Sequence, residues 1–191
     1  MAKLRFGMGV VVGIALILSL VGDRLQSAPS DRVCFEAEDA KSITPHFKKR
    51  TTPFKDSRNI LSSGGCIEIP EKINGEEHKE VYEGVVTYEV NIPSAGEYAF
   101  WARVYWGPDK GCSNSFWVSL NGGAPQVFGE DGTYWVWHWI KLKDKVDLPQ
   151  GKVPLVLKNR EDGIMIDQIF LTKGAIIPVG KMAVTPGALA H

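Results

Sequence analysis

Between Val86 and Ile92 every second residue is apolar: Val86, Tyr88, Val90 and Ile92 alternate with Thr87, Glu89 and Asn91. A period of two places the apolar set on one face of an extended strand and the polar set on the other. That pattern belongs to a sheet packed on one side only. The same habit recurs at 33–37, 66–69, 97–106, 115–120, 126–128, 135–142, 152–157 and 164–171, with Gly, Pro and Asn turns such as Asn121-Gly122-Gly123 between the runs. No segment carries the period of a three-turn amphipathic helix. Strands at this spacing fold as an all-β sandwich or barrel. The 93–96 stretch reads as a tight turn, so the strands on either side of it are expected to pair as a hairpin. The polar stretch from Thr44 to Asn59, with Lys48, Lys49 and Arg50, reads as a solvated loop.

Apolar residues make up 44% of the 191, enough to fill one core. Basic and acidic side chains balance at 22 each, which excludes nucleic-acid binding through a clustered basic surplus. Lys3 and Arg5 precede an uncharged run over 6–22, closed by Asp23 and Arg24. This is the secretory signal pattern, although a run reaching roughly 26 Å as a helix also approaches a bilayer span. Residues 1–28 are therefore expected to be a signal peptide ending at Ala28, or a retained anchor, since Gln26 suits cleavage poorly. Both versions export the chain to a secreted, periplasmic or cell-surface location, with the membrane touched only through this segment. The domain proper is expected over 32–172. Residues 173–191, with Gly174, Pro178, Gly180, Pro186 and Gly187, read as a loosely packed extension.

Cys34, Cys66 and Cys112 form no CxxC pair, so a cysteine zinc site is not indicated. An exported chain can join two of them. Spacing does not choose the pair; Cys34 with Cys66, both beside early strands, is the preferred pairing, and three buried thiols are the equal alternative. No GxSxG elbow, HExxH pair or Walker loop occurs. His138, between Trp137 and Trp139, reads as a packed, hydrogen-bonded residue. The neighbours Glu161 and Asp162 would serve glycoside hydrolysis only if placed across a substrate cleft, which adjacency does not supply. The chain is not expected to be an enzyme.

Two acidic sets stand out. Glu36 and Glu38 lie two apart, on one face of an extended segment. Asp167 lies inside an apolar strand, where a carboxylate needs a cation or a donor network. If the first and last strands meet, three carboxylates converge, either as solvent-facing acids or as hard ligands suited to Ca²⁺.

The pieces FEAEDA, VTYEVNIPSAGEYAFWARV, VSLNGG, WHW and GIMIDQIFLT, in this order from Arg32 to Thr172, resemble carbohydrate-binding module families six and thirty-five. The resemblance implies a galactose-binding-like jelly-roll sandwich of two antiparallel sheets. It also implies a structural Ca²⁺ held by Glu36, Glu38 and Asp167, and a polysaccharide or glycan bound in the loops at one end. Pyranose rings stack on flat aromatics and their hydroxyls seek planar polar groups. Alternation places Trp135, Trp137 and Trp139 on one face and separates Trp101 from Trp106. Trp106 and Trp135 border loops rich in Gly, Asp or Asn and are the expected stacking rings. Asn114, Asn159, Arg160 and Asp162 are the expected polar contacts, although Met165 stands where the families carry an Asn. The alternative is a cell-surface structural or adhesion sandwich without a sugar site.

Overall fold

The computed structural model describes residues 31–51, 61–73, 83–107 and 111–190. The expected signal or anchor segment lies outside them. Among the described residues the chain forms β1 (Arg32–Glu36), a 3-10 turn (Ala37–Asp39), β2 (Ser42–Ile43), β3 (Lys48–Thr51), β4 (Gly65–Ile69) and β5 (Val85–Ile92). It continues with β6 (Gly96–Trp106), β7 (Ser115–Leu120), β8 (Gln126–Gly129), β9 (His138–Lys141), β10 (Val146–Leu148), β11 (Gly151–Lys158) and β12 (Ile164–Thr172). Two antiparallel sheets result. The seven-stranded one runs β10-β6-β12-β4-β3, with β1 on β12 and β9 on β6; the five-stranded one runs β2-β5-β11-β7-β8. The alternating faces meet between them, where Phe35, Tyr88, Tyr98, Phe100, Trp106, Phe116 and Phe128 are buried. The pattern called for a sandwich or barrel, and this is the jelly-roll type of sandwich that the resemblance implied.

The expected hairpin does not form. β5 pairs with β11 and β2, while β6 pairs with β12, β10 and β9, so the 93–96 turn crosses from one sheet to the other. A hairpin would turn both apolar faces to the same side. An arch, swung at Gly96 with φ 143°, sets Val86, Tyr88, Val90 and Ile92 opposite Tyr98, Phe100, Ala102 and Val104 across the core. Alternation in sequence is the same for both, which is why it does not choose.

The 135–142 run is a strand only over β9. Trp135 sits at φ 60°, in the left-handed region, and this breaks the alternation. Trp135 is exposed, Trp137 buried and Trp139 half-buried, so the three do not share a face. The basic cluster 48–50 is the edge strand β3 rather than a loop; charge on an edge discourages further pairing. Residues 173–190, read as an extension, are largely exposed but are tied to the sandwich at several points. Thr185 donates its N–H to the Cys34 carbonyl (2.9 Å) and accepts from the Cys34 N–H at Oγ1 (3.0 Å), and Leu189 bridges to Val90.

Cys34 and Cys66 are both buried and are not joined to each other. Cys34 pairs opposite Phe170, whereas β4 meets β12 at 164–166, so both thiols lie along the same flank of β12. About three residues of strand rise separate their levels, roughly 10 Å, too far for a disulfide. A register shift between Ile166 and Gln168 in β12 has a further effect. Ile164 and Ile166 face the core on one side of it, Ile169 and Leu171 on the other, and Asp167 and Gln168 both leave the apolar core cluster.

Candidate functional site

Ile69, Ile164 and Trp106 stand side by side where β4 and β6 end and β12 begins. Beyond this row the loops open a cleft of about 430 Å³, lined among others by Arg50, Glu68, Glu71, Tyr105, Trp135 and Met165. Register explains the lining. Met165 pairs with Glu68 on one side and Tyr105 on the other, giving an outward-facing row across three strands. The floor is glycine by necessity: a Cβ on Gly107 would collide with the Gly163 carbonyl. Gly163, at φ 72°, donates to the Ile69 carbonyl at 2.8 Å and holds the loop against β4.

Trp135 is 49% exposed. Its backbone N–H bonds the Trp106 carbonyl at 3.2 Å, and its ring lies 6.2 Å from that of Tyr134. A bulky residue at positive φ costs on the order of 1–2 kcal/mol. An exposed indole held in such a backbone is displayed rather than packed. Tyr105 leans on Trp137 at 5.6 Å, and Arg50 reaches Glu68 at 2.8 Å. The cleft thus joins flat apolar rings to charged hydrogen-bonding groups, a pairing that matches a sugar's apolar face and rim of hydroxyls.

Of the six residues expected to contact sugar, the structure puts Trp135 alone in this cleft. Trp106 is fully buried, its Nε1–H donating to Asp131 Oδ1 at 2.8 Å, so it offers no face to a ligand. It belongs to the inward-facing set of β6, which decides its place over the polar loop beside it. Asn114 and Asn159 are buried as well. Asn114 donates to the Tyr134 hydroxyl at 2.6 Å and takes Glu161 Oε2 on its backbone N–H at 3.0 Å. Arg160 joins Ser115, Glu161 (2.7 Å) and Glu130 (3.1 Å). Asp162 is half-buried in the bend before β12 and does not line the cleft. Asn114 and Arg160 therefore brace the loop that carries Glu130 and Tyr134, while Asn159 turns to His46 (3.4 Å) and to the Gly84 carbonyl (3.0 Å). Glu161 is engaged in the same bracing, accepting from the Asn114 backbone N–H and pairing with Arg160. His138 is hydrogen-bonded to the Val136 carbonyl (2.9 Å) and beside Asp131 (2.9 Å), the packed role expected of it. Arg50, Glu68, Glu71 and Tyr105 were not foreseen, because strand register, not local sequence, gathers them.

The three acids do come together, though not on one strand face: Glu36 ends β1 and Glu38 lies in the following 3-10 turn. β1 pairs with β12 so that Glu36 stands opposite Gln168, next to Asp167. Arg103 Nη1 bonds Asp167 Oδ2 at 2.5 Å, and Ser62 donates its backbone N–H to Oδ1 at 3.0 Å. Glu36 accepts from Gln168 (3.0 Å) and from the Ser62 hydroxyl, and Glu38 from Ser63. Glu38 Oε2 is buried and accepts no hydrogen bond. That orphan oxygen, in a set of carboxylates and hydroxyls, fits a hard cation. Among the described residues no three such side chains make a ready-made metal cluster, and Arg103 already neutralises Asp167.

Burial pushes the Glu36 and Glu38 carboxyls above their ordinary value, with Asp167 adding to both. A carboxylate raised by folding contributes stability that is present at low pH and lost as pH rises through its folded value. Glu38→Gln removes that loss. In chelator, Glu38→Gln is expected to melt above the wild type at about pH 7, with the gap closing near pH 4. A constant gap across that range, followed by circular dichroism, would show that the Glu38 charge is not what matters.

No family's sequence profile matches the chain, and no curated protein matches it in sequence. Solved structures do match in shape. A family 35 carbohydrate-binding module from Clostridium thermocellum aligns with TM-score 0.52 at 20% identity, covering 74% of this chain and 98% of that one. A family 6 module from the Cellvibrio mixtus lichenase 5A, in complex with cellotriose, aligns with TM-score 0.50 at 21% identity, covering 74% and 97%. The Podospora anserina GH26-CBM35 β-(1,4)-mannanase aligns with TM-score 0.56 at 20% identity over 78% of this chain, which spans 29% of the mannanase's length. At these identities the likeness establishes the fold.

Proposed function

We propose that this chain, which has the sandwich fold of the family 35 and family 6 carbohydrate-binding modules, is a non-catalytic module that binds a polysaccharide through the cleft at Trp135. The observation that carries this reading is the exposed Trp135 indole, held at positive φ over a cleft with Tyr105, Met165, Arg50 and two glutamates. Arg50 is opposed by Glu68 and Glu71. That balance favours hydroxyl-rich neutral sugars over acidic ones, since a uronate would meet two like charges.

Trp135→Ala is expected to weaken polysaccharide binding by about 1–3 kcal/mol, as removal of a stacking anchor does. Stability should change by less than about 0.5 kcal/mol, because the ring is on the surface. Affinity electrophoresis against plant, algal and bacterial polysaccharides, beginning with soluble β-glucans and mannans, reads the first; thermal unfolding reads the second. No retardation by any of them would overturn the proposal. It would favour an adhesion or structural domain, a reading supported by the internal engagement of Asn114, Asn159 and Arg160.

A calcium ion is part of the proposal. Glu36, Glu38 and Asp167 would hold it beside Ser62 and Ser63, cross-linking β1, β12 and the 62–64 bend. The ion would supply charge neutralisation and no chemistry on the sugar. Export rests on the Lys3, Arg5 and 6–22 pattern. No helix of the described residues is long and apolar enough to cross a membrane.

A further inference from the structure

Residues 174–180, Gly-Ala-Ile-Ile-Pro-Val-Gly, form an uncharged loop bracketed by Lys173 and Lys181. Ile177 is 73% and Val179 79% exposed, with Ile176 at 37%. A soluble surface seldom gathers aliphatic side chains in this way without a use for them. Nor is the loop slack. Gly174 donates to Thr172 Oγ1 at 3.2 Å, Trp139 Nε1–H to the Gly180 carbonyl at 2.8 Å, and Met182 exchanges two hydrogen bonds with the Gln168 amide at 2.8 and 2.9 Å. Pro178 is buried between its exposed neighbours. The backbone is fastened at both ends, and the aliphatic groups are presented outward from it.

What adjoins this loop identifies its occupant. Lys173 donates its N–H to the Asp31 carbonyl at 3.0 Å, and its ammonium lies 3.6 Å from the Asp31 carboxylate. The sequence before Asp31 therefore enters the sandwich at the foot of the loop, and that sequence contains the uncharged 6–22 run. The Lys173 ammonium is tied down by Ser94 Oγ (2.7 Å) and the Ala95 carbonyl (2.6 Å), whereas the exposed Lys181 on the other side of the aliphatic stretch suits the headgroup boundary, where a stem lies along apolar surface and the charge stays in water.

Resting on the reading of residues 1–28 as a retained anchor, we propose that the 174–180 loop is a bilayer contact: Ile176, Ile177 and Val179 rest in the phospholipid surface. The domain is then not free to swivel on its connecting segment. The Trp135 cleft lies at the far end of β6 from Lys173, which packs near Gly96, so a docked domain holds the cleft out towards solvent.

The test uses the full chain in phosphatidylcholine vesicles, with Cys112→Ser to remove the partly exposed thiol. An environment-sensitive fluorophore is attached at Ile177→Cys, or at Val127→Cys on the five-stranded sheet as reference. A label at residue 177 is expected to be quenched by doxyl-labelled lipid and shielded from aqueous iodide by about fivefold or more relative to residue 127. A second label at Val179→Cys carries the same expectation. Equal iodide quenching at 177, 179 and 127 would overturn the proposal. So would shielding at 177 and 179 without quenching by doxyl lipid, which would mean that a second copy or another segment of the chain covers the loop.

Discussion

Trp106→Ala is expected to cost about 3–5 kcal/mol of folding stability, the range for emptying an aromatic site in a packed core. The ring is fully buried, 6.3 Å from Phe116 and 6.1 Å from His138, and its N–H bonds Asp131. Urea unfolding should show the midpoint falling with little change in slope. Trp106→Phe keeps most of the volume and loses the Asp131 hydrogen bond, so it should fall between the two, nearer the wild type. A loss below about 1 kcal/mol for the alanine variant would place the ring outside the core and return it to consideration as a sugar contact. The contrast with Trp135→Ala separates two tryptophans that look alike in sequence: one effect on stability, one on binding.

Calcium is expected to stabilise the wild type by about 2.7 kcal/mol at a hundred times its dissociation constant, and chelator to remove that gain. Asp167→Ala is expected to abolish the response and also to destabilise the chain in chelator by about 3–5 kcal/mol, because it removes the carboxylate that faces the buried Arg103 guanidinium. Glu38→Gln distinguishes the two effects. It leaves the Arg103–Asp167 pair intact, so it should lose the calcium response without that penalty. Calorimetric scans of the three proteins, each with calcium and with chelator, measure both quantities. A wild type that melts identically in the two buffers would mean that Arg103, Ser62, Ser63 and Gln168 hold the acids without an ion.

The alternation at 86–92 fixed a strand, a core face and a one-sided sheet, because those depend only on which residues lie two apart. It did not reveal the arch at Gly96, since an arch and a hairpin need the same apolar sets. Trp106 was legible in principle. Tyr98, Phe100, Ala102, Val104 and Trp106 share one parity in β6, and that parity outweighs the loop that follows. The convergence of Glu36 with Asp167 followed from the first and last strands meeting. The donors that meet them, Arg103 and Ser62, lie 64 and 105 positions from Asp167 and carry no local signal. Arg50 and Glu68 were hidden for a similar reason. A four-residue polar strand at a sheet edge reads as a loop until its partner is known.

β12 is the last strand in the chain and sits inside the seven-stranded sheet, with β6 along one flank and β4 and β1 along the other. Three earlier strands therefore wait for it. While the chain is being made, β1, β4 and β6 have no common neighbour to pair with, and the larger sheet closes only after residue 172 is present. Such late, long-distance closure slows folding relative to hairpin-by-hairpin assembly. It also keeps the growing polypeptide extended for longer, a form that can be threaded through a narrow pore before the sandwich locks.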